Sequence, residues 1–183
     1  MSEPRAGRMT RIAPPRLQTM EHRGRRTATW LELFYDLAFV VAIAVLGERL
    51  LHDTSWTGLG SFFGYFALLW WLWASNTFYA DRYDTDDLVY RLLSAAQMAA
   101  VLVMAASLTE GPSASTAVFA AGYATSRLVL LALYWRVYRH VAETRGLVSG
   151  YITGFGTAAV VWLTSVFVPD PARFAVWAIA LSI

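Results

Sequence analysis

No cysteine occurs among the 183 residues. Disulfides, thiolate nucleophiles and Cys-based metal centres are therefore excluded. Lysine is absent as well, since all 15 residues in the Lys plus Arg total are Arg. Schiff-base chemistry thus has no side-chain amine to use. Charge of either sign is scarce: Asp, Glu, Lys and Arg make up 15% of the chain, against about 25% in an average soluble domain. What fills the chain instead is hydrophobic, at 57%, with 8 Trp, 9 Tyr and 10 Phe. This balance excludes a disordered chain, a coiled coil and a disulfide scaffold, and it points to an integral membrane protein.

The few charges are unevenly placed. Residues 1–29 hold seven Arg against Glu3 and Glu21, a net of +5, whereas residues 30–183 hold eight Arg against eleven acids, a net of −3. Residues 1–28 contain Pro4, Pro14 and Pro15, scattered Arg and no apolar run. A secretory signal needs an apolar stretch of about 7–15 residues behind its charges. Here the first apolar run starts at Trp30 and is long enough to span a bilayer. Residues 1–28 are expected to be an uncleaved, disordered, Arg-rich cytoplasmic tail, and residues 29–183 a transmembrane helical domain. The expected partners are the lipid bilayer, anionic headgroups at the tail and a second copy of the chain. Nucleic acid is not expected, because no aromatic interleaving or folded nucleic-acid motif accompanies the Arg.

A span needs about 20 mostly apolar residues. Five stretches qualify: Trp30 to Leu51, Trp56 to Ala80, Leu88 to Thr109, Ser115 to Val137 and Leu147 to Val168. They are too long and too continuously apolar for barrel strands, so helices are predicted. A sixth run from Ala172 stops at Ile183. Twelve helical residues rise about 18 Å, short of a hydrocarbon core about 30 Å thick. The expected fold is an all-α polytopic bundle of five full spans and a truncated sixth, and the chain reads as a fragment. With the tail inside, the turns at 81–87 and 138–146 are also inside and bring Arg82, Arg139 and Arg145, while the turns at 52–55 and 110–114 contain no Arg. This asymmetry predicts a cytoplasmic N-terminus and the inner membrane.

Polar groups inside a span are expensive, so each calls for a reason. Glu32 and Asp36 stand four apart, on one face of the first helix. Asn76, Gln97 and Arg127 fall in the second, third and fourth spans. Arg127 lies about 15 Å from the inner end of its span and Asp36 about 9 Å from that of its own, a gap an Arg can close. The sequence thus predicts a buried polar layer of Glu32, Asp36, Asn76, Gln97 and Arg127, with Asp36 and Arg127 as partners. The layer is either an ion, proton or anionic-substrate site or a set of bonds that fixes helix order.

The turn from Asp81 to Asp87 is the sharpest local feature. Asp81, Asp84, Asp86 and Asp87 could hold a divalent cation through oxygen ligands, although the spacing is not that of an EF-hand. The preferred reading is capping of the third helix by Asp84, Thr85 or Asp86, with Asp87 and Arg91 as an i,i+4 pair. Weaker features include the crowded Trp70, Trp71 and Trp73, and the Gly60–Gly64 and Gly150–Gly154 pairs, which allow close helix approach. The three His (His22, His52, His140) lie outside the spans without ligand spacing. No Ser/His/Asp set or nucleotide loop is present, so no cofactor is expected and no motif commits the chain to catalysis.

The run Ala28-Thr29-Trp30-Leu31-Glu32-Leu33-Phe34-Tyr35-Asp36-Leu37-Ala38-Phe39-Val40 resembles the opening motif of the bacterial low temperature requirement protein A family (LtrA). Trp71-Leu72-Trp73 followed by Asn76 through Asp87 resembles its second signature, and Gly122-Tyr123 followed by Arg127 its fourth-helix pattern. The resemblance runs from about Ala28 to the end. It implies a polytopic bacterial inner-membrane protein whose relatives are longer and carry a second half with further signatures, and it supplies a label more than a mechanism. Three functions remain open: a transporter-like or channel-like protein using the carboxylate–Arg layer, a metal-dependent enzyme acting on a phosphorylated lipid at the acidic turn, or a non-catalytic assembly protein.

Overall fold

The computed structural model describes residues 14–17, 30–84, 87–109, 112–169 and 172–181. Among the described residues six α-helices follow in order: α1 Trp30–His52, α2 Trp56–Arg82, α3 Leu88–Ser107, α4 Pro112–His140, α5 Arg145–Ser165 and α6 Ala172–Leu181, with a 3-10 turn at Ala142–Thr144 between α4 and α5. Helix interiors are free of proline; Pro112 takes the first position of α4, where its missing N–H costs no hydrogen bond. The α1–α2 turn is closed by side chains. The Ser55 N–H donates to Asp53 Oδ1 at 3.1 Å, and Ser55 Oγ accepts from the Gly58 N–H at 3.1 Å, capping α2. The Ser55 hydroxyl and N–H together hold the Asp53 carboxyl below the usual carboxylate range.

Among the described residues four helical segments are long and apolar enough to cross a membrane: Trp30–His52, Leu88–Ser107, Thr116–His140 and Ala142–Ser165. Helix α2 has 27 residues, about 40 Å, and so has the length. Its Trp, Tyr, Gly, Ser and Asn content leaves it less apolar than the other four. Helix α6 has ten residues, about 15 Å, and falls short of the core thickness.

Besides the helices there is one short antiparallel pairing, with Arg16 opposite Asp84 and Leu17 opposite Tyr83. The preceding Pro14-Pro15 favours extended backbone, and Leu17 packs against a tyrosine-rich cluster. Part of the stretch expected to be disordered is therefore held against the α2–α3 turn. The rest of that stretch, residues 1–13 and 18–28, lies outside the described residues.

Helix α4 is the central element and packs along α3, α5 and α2, while α1 packs on α3 and α2, and α6 on α5. Helices α3 and α4 approach closely at Gly122, where an added Cβ would lie 2.5 Å from Met104 Cγ and 3.1 Å from the Ala100 carbonyl oxygen. The glycines expected to allow close approach do not do so: nothing lies within 4 Å of a Cβ built at Gly60, Gly64 or Gly150. Apolar side chains form two clusters. The larger joins α1 through α6 around Leu69, Leu72, Met104, Phe119, Tyr123, Trp162 and Trp177. The smaller sits at the end rich in Arg, around Tyr79, Tyr83, Leu130, Leu133, Tyr134 and Val137.

Candidate functional site

The two clusters are separated by a buried polar layer. On α2, Ser75 and Asn76 lie between Leu72 of the larger cluster and Tyr79 of the smaller; on α3, Ser94 and Gln97 lie between Val101 and Tyr90; on α4, Ser126 and Arg127 lie between Ala124 and Val129. Helices α3 and α4 run antiparallel with their register fixed twice, by the Gly122 contact with Ala100 and by the Asp87–Arg136 ion pair. Stepping one turn from Gly122 brings Ser126 level with Gln97. A hydrogen bond from Arg127 to Ser75 ties α4 to α2 at the same level.

Arg127 is the centre of the layer. Its Nη1 donates to Ser75 Oγ at 3.1 Å and its Nη2 to Tyr123 Oη at 2.7 Å. The guanidinium lies 5.0 Å from the Tyr123 ring centroid and 5.4 Å from that of Phe155 on α5. The residue is only 3% exposed. Among the described residues no carboxylate comes within ion-pair distance of it, and its Nε has no hydrogen-bond partner. On the helices of the same layer, Gln97 Oε1 and Nε2, Asn76 Oδ1, Ser94 Oγ and Ser126 Oγ are also buried without hydrogen-bond partners, as is the Tyr35 hydroxyl on α1. Each such group costs about 1–3 kcal/mol when left unmade. Tyr35, on α1, lies within electrostatic reach of Arg127.

The acids of α1 depart from expectation. Asp36 is exposed and accepts from Trp73 Nε1 at 2.8 Å. It opens onto an apolar groove lined by Phe39, Val40, Ile43, Leu69, Trp70 and Trp73. The cause is the rotation of α1, which turns Tyr35, Ala38, Phe39, Ala42 and Leu46 inward. That leaves the neighbouring Asp36 stripe on the outer flank, so the expected Asp36–Arg127 pair does not form. Glu32, in the first turn of α1, is half-buried. Asn76, Gln97 and Arg127 are thus buried at one level of the bundle, and Asp36 is not paired with Arg127.

The acidic turn is also used differently. The cap of α3 is Asp87, whose Oδ1 accepts from the Tyr90 N–H at 3.1 Å, rather than Asp84, Thr85 or Asp86. The same carboxylate takes two hydrogen bonds from Arg136 on α4, at 3.2 and 2.7 Å, a partner the sequence spacing does not reveal. Burial of Asp87, at 1% exposure, favours the bidentate guanidinium. Asp81 is exposed, Asp84 contributes backbone pairing to Arg16, and Asp86 lies outside the described residues. Among the described residues no three His, Asp or Glu side chains gather as a metal would require.

Sequence reasoning missed Tyr123, Ser75 and Phe155 as the surroundings of Arg127. Tyr123 stands one helical turn before Arg127, and that i,i+4 spacing was a usable signal. It also missed Arg173. This buried side chain on α6 donates to the Ser165 and Val166 carbonyl oxygens and to Thr116 Oγ1 on α4, while Trp177 Nε1 donates to Ser165 Oγ at 3.1 Å. These bonds staple α6 to the far ends of α4 and α5.

A family model described as bacterial low temperature requirement A protein (LtrA) matches residues 27–183. The chain is 30% identical over 169 residues to the uncharacterized protein RA0937 of Rhizobium meliloti (strain 1021), an alignment covering 88% of this chain and 40% of that relative. The chain therefore spans less than half the length of that relative. No solved structure matches. Matching this family along most of its length, with apolar helices of spanning length, the chain belongs to the bacterial low temperature requirement A (LtrA) family of membrane proteins.

Proposed function

We propose that the chain is part of a polytopic inner-membrane protein that binds a polar or charged solute at the Arg127 layer and passes it across the bilayer, as a transporter or channel does. The observation that carries this reading is a buried guanidinium inside a membrane span with no carboxylate partner among the described residues. An intramembrane charge costs about 2.5–3.5 kcal/mol even on the lenient insertion scale. Two neutral hydroxyl acceptors offset only part of that, so the site is suited to a ligand that completes it.

The proposed orientation has the N-terminus and the Arg-rich end in the cytoplasm, on the bias of Arg82, Arg136, Arg139 and Arg145. Five crossings are proposed. Helix α1 ends at the far end and α3 starts at the Arg-rich end, so α2 must traverse if both of them do. Anionic headgroups at the Arg-rich tail and self-association complete the picture. The metal-dependent lipid enzyme is the weaker alternative, because Asp87 is already committed to Arg136 and to capping.

Flux through proteoliposomes holding the full chain, measured over a panel of inorganic ions and small polar solutes, tests the proposal. Arg127→Gln is expected to reduce flux by about tenfold or more, the value of one or two charge-assisted hydrogen bonds. Asp36→Asn, on the outer flank, is expected to reduce it far less. Absence of flux for every solute, or equal flux in Arg127→Gln, would leave the layer as a device that organises helices.

A further inference from the structure

We infer that the Arg127 layer is a binding site for a small monovalent anion of halide or nitrate size. This deepens the solute-binding proposal and rests on the same residues.

The unpartnered groups sort by sign. Arg127 Nε–H and the Gln97 amide N–H groups can only donate, and the hydroxyls of Ser94, Ser126 and Tyr35 can rotate to donate. Against these stand two carbonyl oxygens, Gln97 Oε1 and Asn76 Oδ1. A cation would have two neutral oxygens to bind, no carboxylate, and a guanidinium repelling it. An anion meets a surplus of donors and a full positive charge in a medium of low dielectric, where both count for more than in water.

The valence follows from the charge inventory. Arg127 is the sole cation of the layer among the described residues, its contacts Ser75, Tyr123 and Phe155 are neutral, and so are Gln97 and Ser126 at the same level. Asp36, the charged group of α1 nearest in level, faces the outer flank and is engaged by Trp73 Nε1. It is therefore poorly placed to neutralise the guanidinium. One unit of negative charge balances the layer, and a divalent anion would leave it overcharged inside the bilayer. The flanking clusters argue for a small ion, since Leu72, Tyr123 and Val101 close the layer on one side and Tyr79, Tyr90 and Leu130 on the other.

The test uses the purified full chain in detergent at constant ionic strength, with sodium gluconate replaced stepwise by sodium bromide or nitrate and the unfolding temperature as readout. A saturable rise is expected, unchanged when choline replaces sodium. Gln97→Leu removes unpartnered polar atoms without altering charge, so it should fold and need about tenfold more anion for the same rise. Arg127→Gln should abolish the response. The proposal is overturned if the wild type shows no saturable response, or if Gln97→Leu responds like the wild type. The two proposals fail separately. Saturable anion stabilisation without flux keeps the site and removes transport, whereas cation flux without an anion response keeps transport and removes the anion site.

Discussion

A leucine at Gly122 would have to displace Met104 and push against the backbone of α3 at Ala100. Overpacking of this kind costs about 1–3 kcal/mol, more than the helix-propensity gain of losing a glycine, which is about 0.5–1 kcal/mol. Gly122→Leu is therefore expected to lower the unfolding temperature in detergent and, by separating α3 from α4, to weaken any binding at the Arg127 layer. Gly60→Leu is the control, because nothing lies within 4 Å of an added Cβ there, and it should show no loss and a gain of up to about 0.5–1 kcal/mol from helix propensity. Equal losses from the two would show that the crossing does not depend on Gly122. The comparison was not available beforehand: Gly60 and Gly64 have the spacing of a packing motif, while Gly122 stands without a partner glycine on its own helix.

Between elements, the Asp87–Arg136 pair clamps the start of α3 to the last turns of α4 while also capping α3. The two roles are separable. Asp87→Asn keeps an acceptor for the Tyr90 N–H but loses the ion pair; Asp87→Ala loses both. With Arg136 16% exposed on its side chain and Asp87 fully covered, loss of the pair is expected to cost about 2–3 kcal/mol, below the range for fully buried pairs. The lost cap adds about 1 kcal/mol. Chemical denaturation in mixed micelles should thus rank wild type above Asp87→Asn above Asp87→Ala. If Asn and Ala were equally harmful, the cap would be contributing nothing. Replacement of Asp84 and Asp86 by Asn is expected to be mild, since Asn caps nearly as well as Asp.

For the whole molecule, the absence of cysteine makes topology directly measurable, since any single introduced cysteine is the only thiol in the chain. Thr54→Cys, in the exposed turn between α1 and α2, is expected to react with a membrane-impermeant maleimide added outside intact cells. Glu143→Cys, in the exposed turn after α4, is expected to react only after permeabilisation. The reverse pattern would overturn the cytoplasmic assignment of the N-terminus and move the polar layer toward the other leaflet. Labelling of both from one side would mean that the chain does not cross an odd number of times between them, and would remove α2 from the list of spans.

The sequence by itself determined the membrane character, the helical elements and the level at which Asn76, Gln97 and Arg127 sit. These follow from composition and spacing along the chain: a long apolar run has no stable form in lipid other than a helix, and rise per residue converts position into depth. Tertiary structure decided everything that depends on rotation about a helix axis and on which helices are neighbours. Glu32 and Asp36 share a face by spacing alone, yet Glu32 is half-buried while Asp36 lies exposed on the outer flank, because Tyr35, Ala38 and Ala42 fill the interior of the bundle. For Asp87 the spacing offers only Arg91 on its own helix, and it is the antiparallel register of α3 and α4 that brings Arg136 to it. The partners of Arg127 were decided the same way, because an arginine's reach covers several neighbours and only packing selects Ser75 and Tyr123 over Asp36.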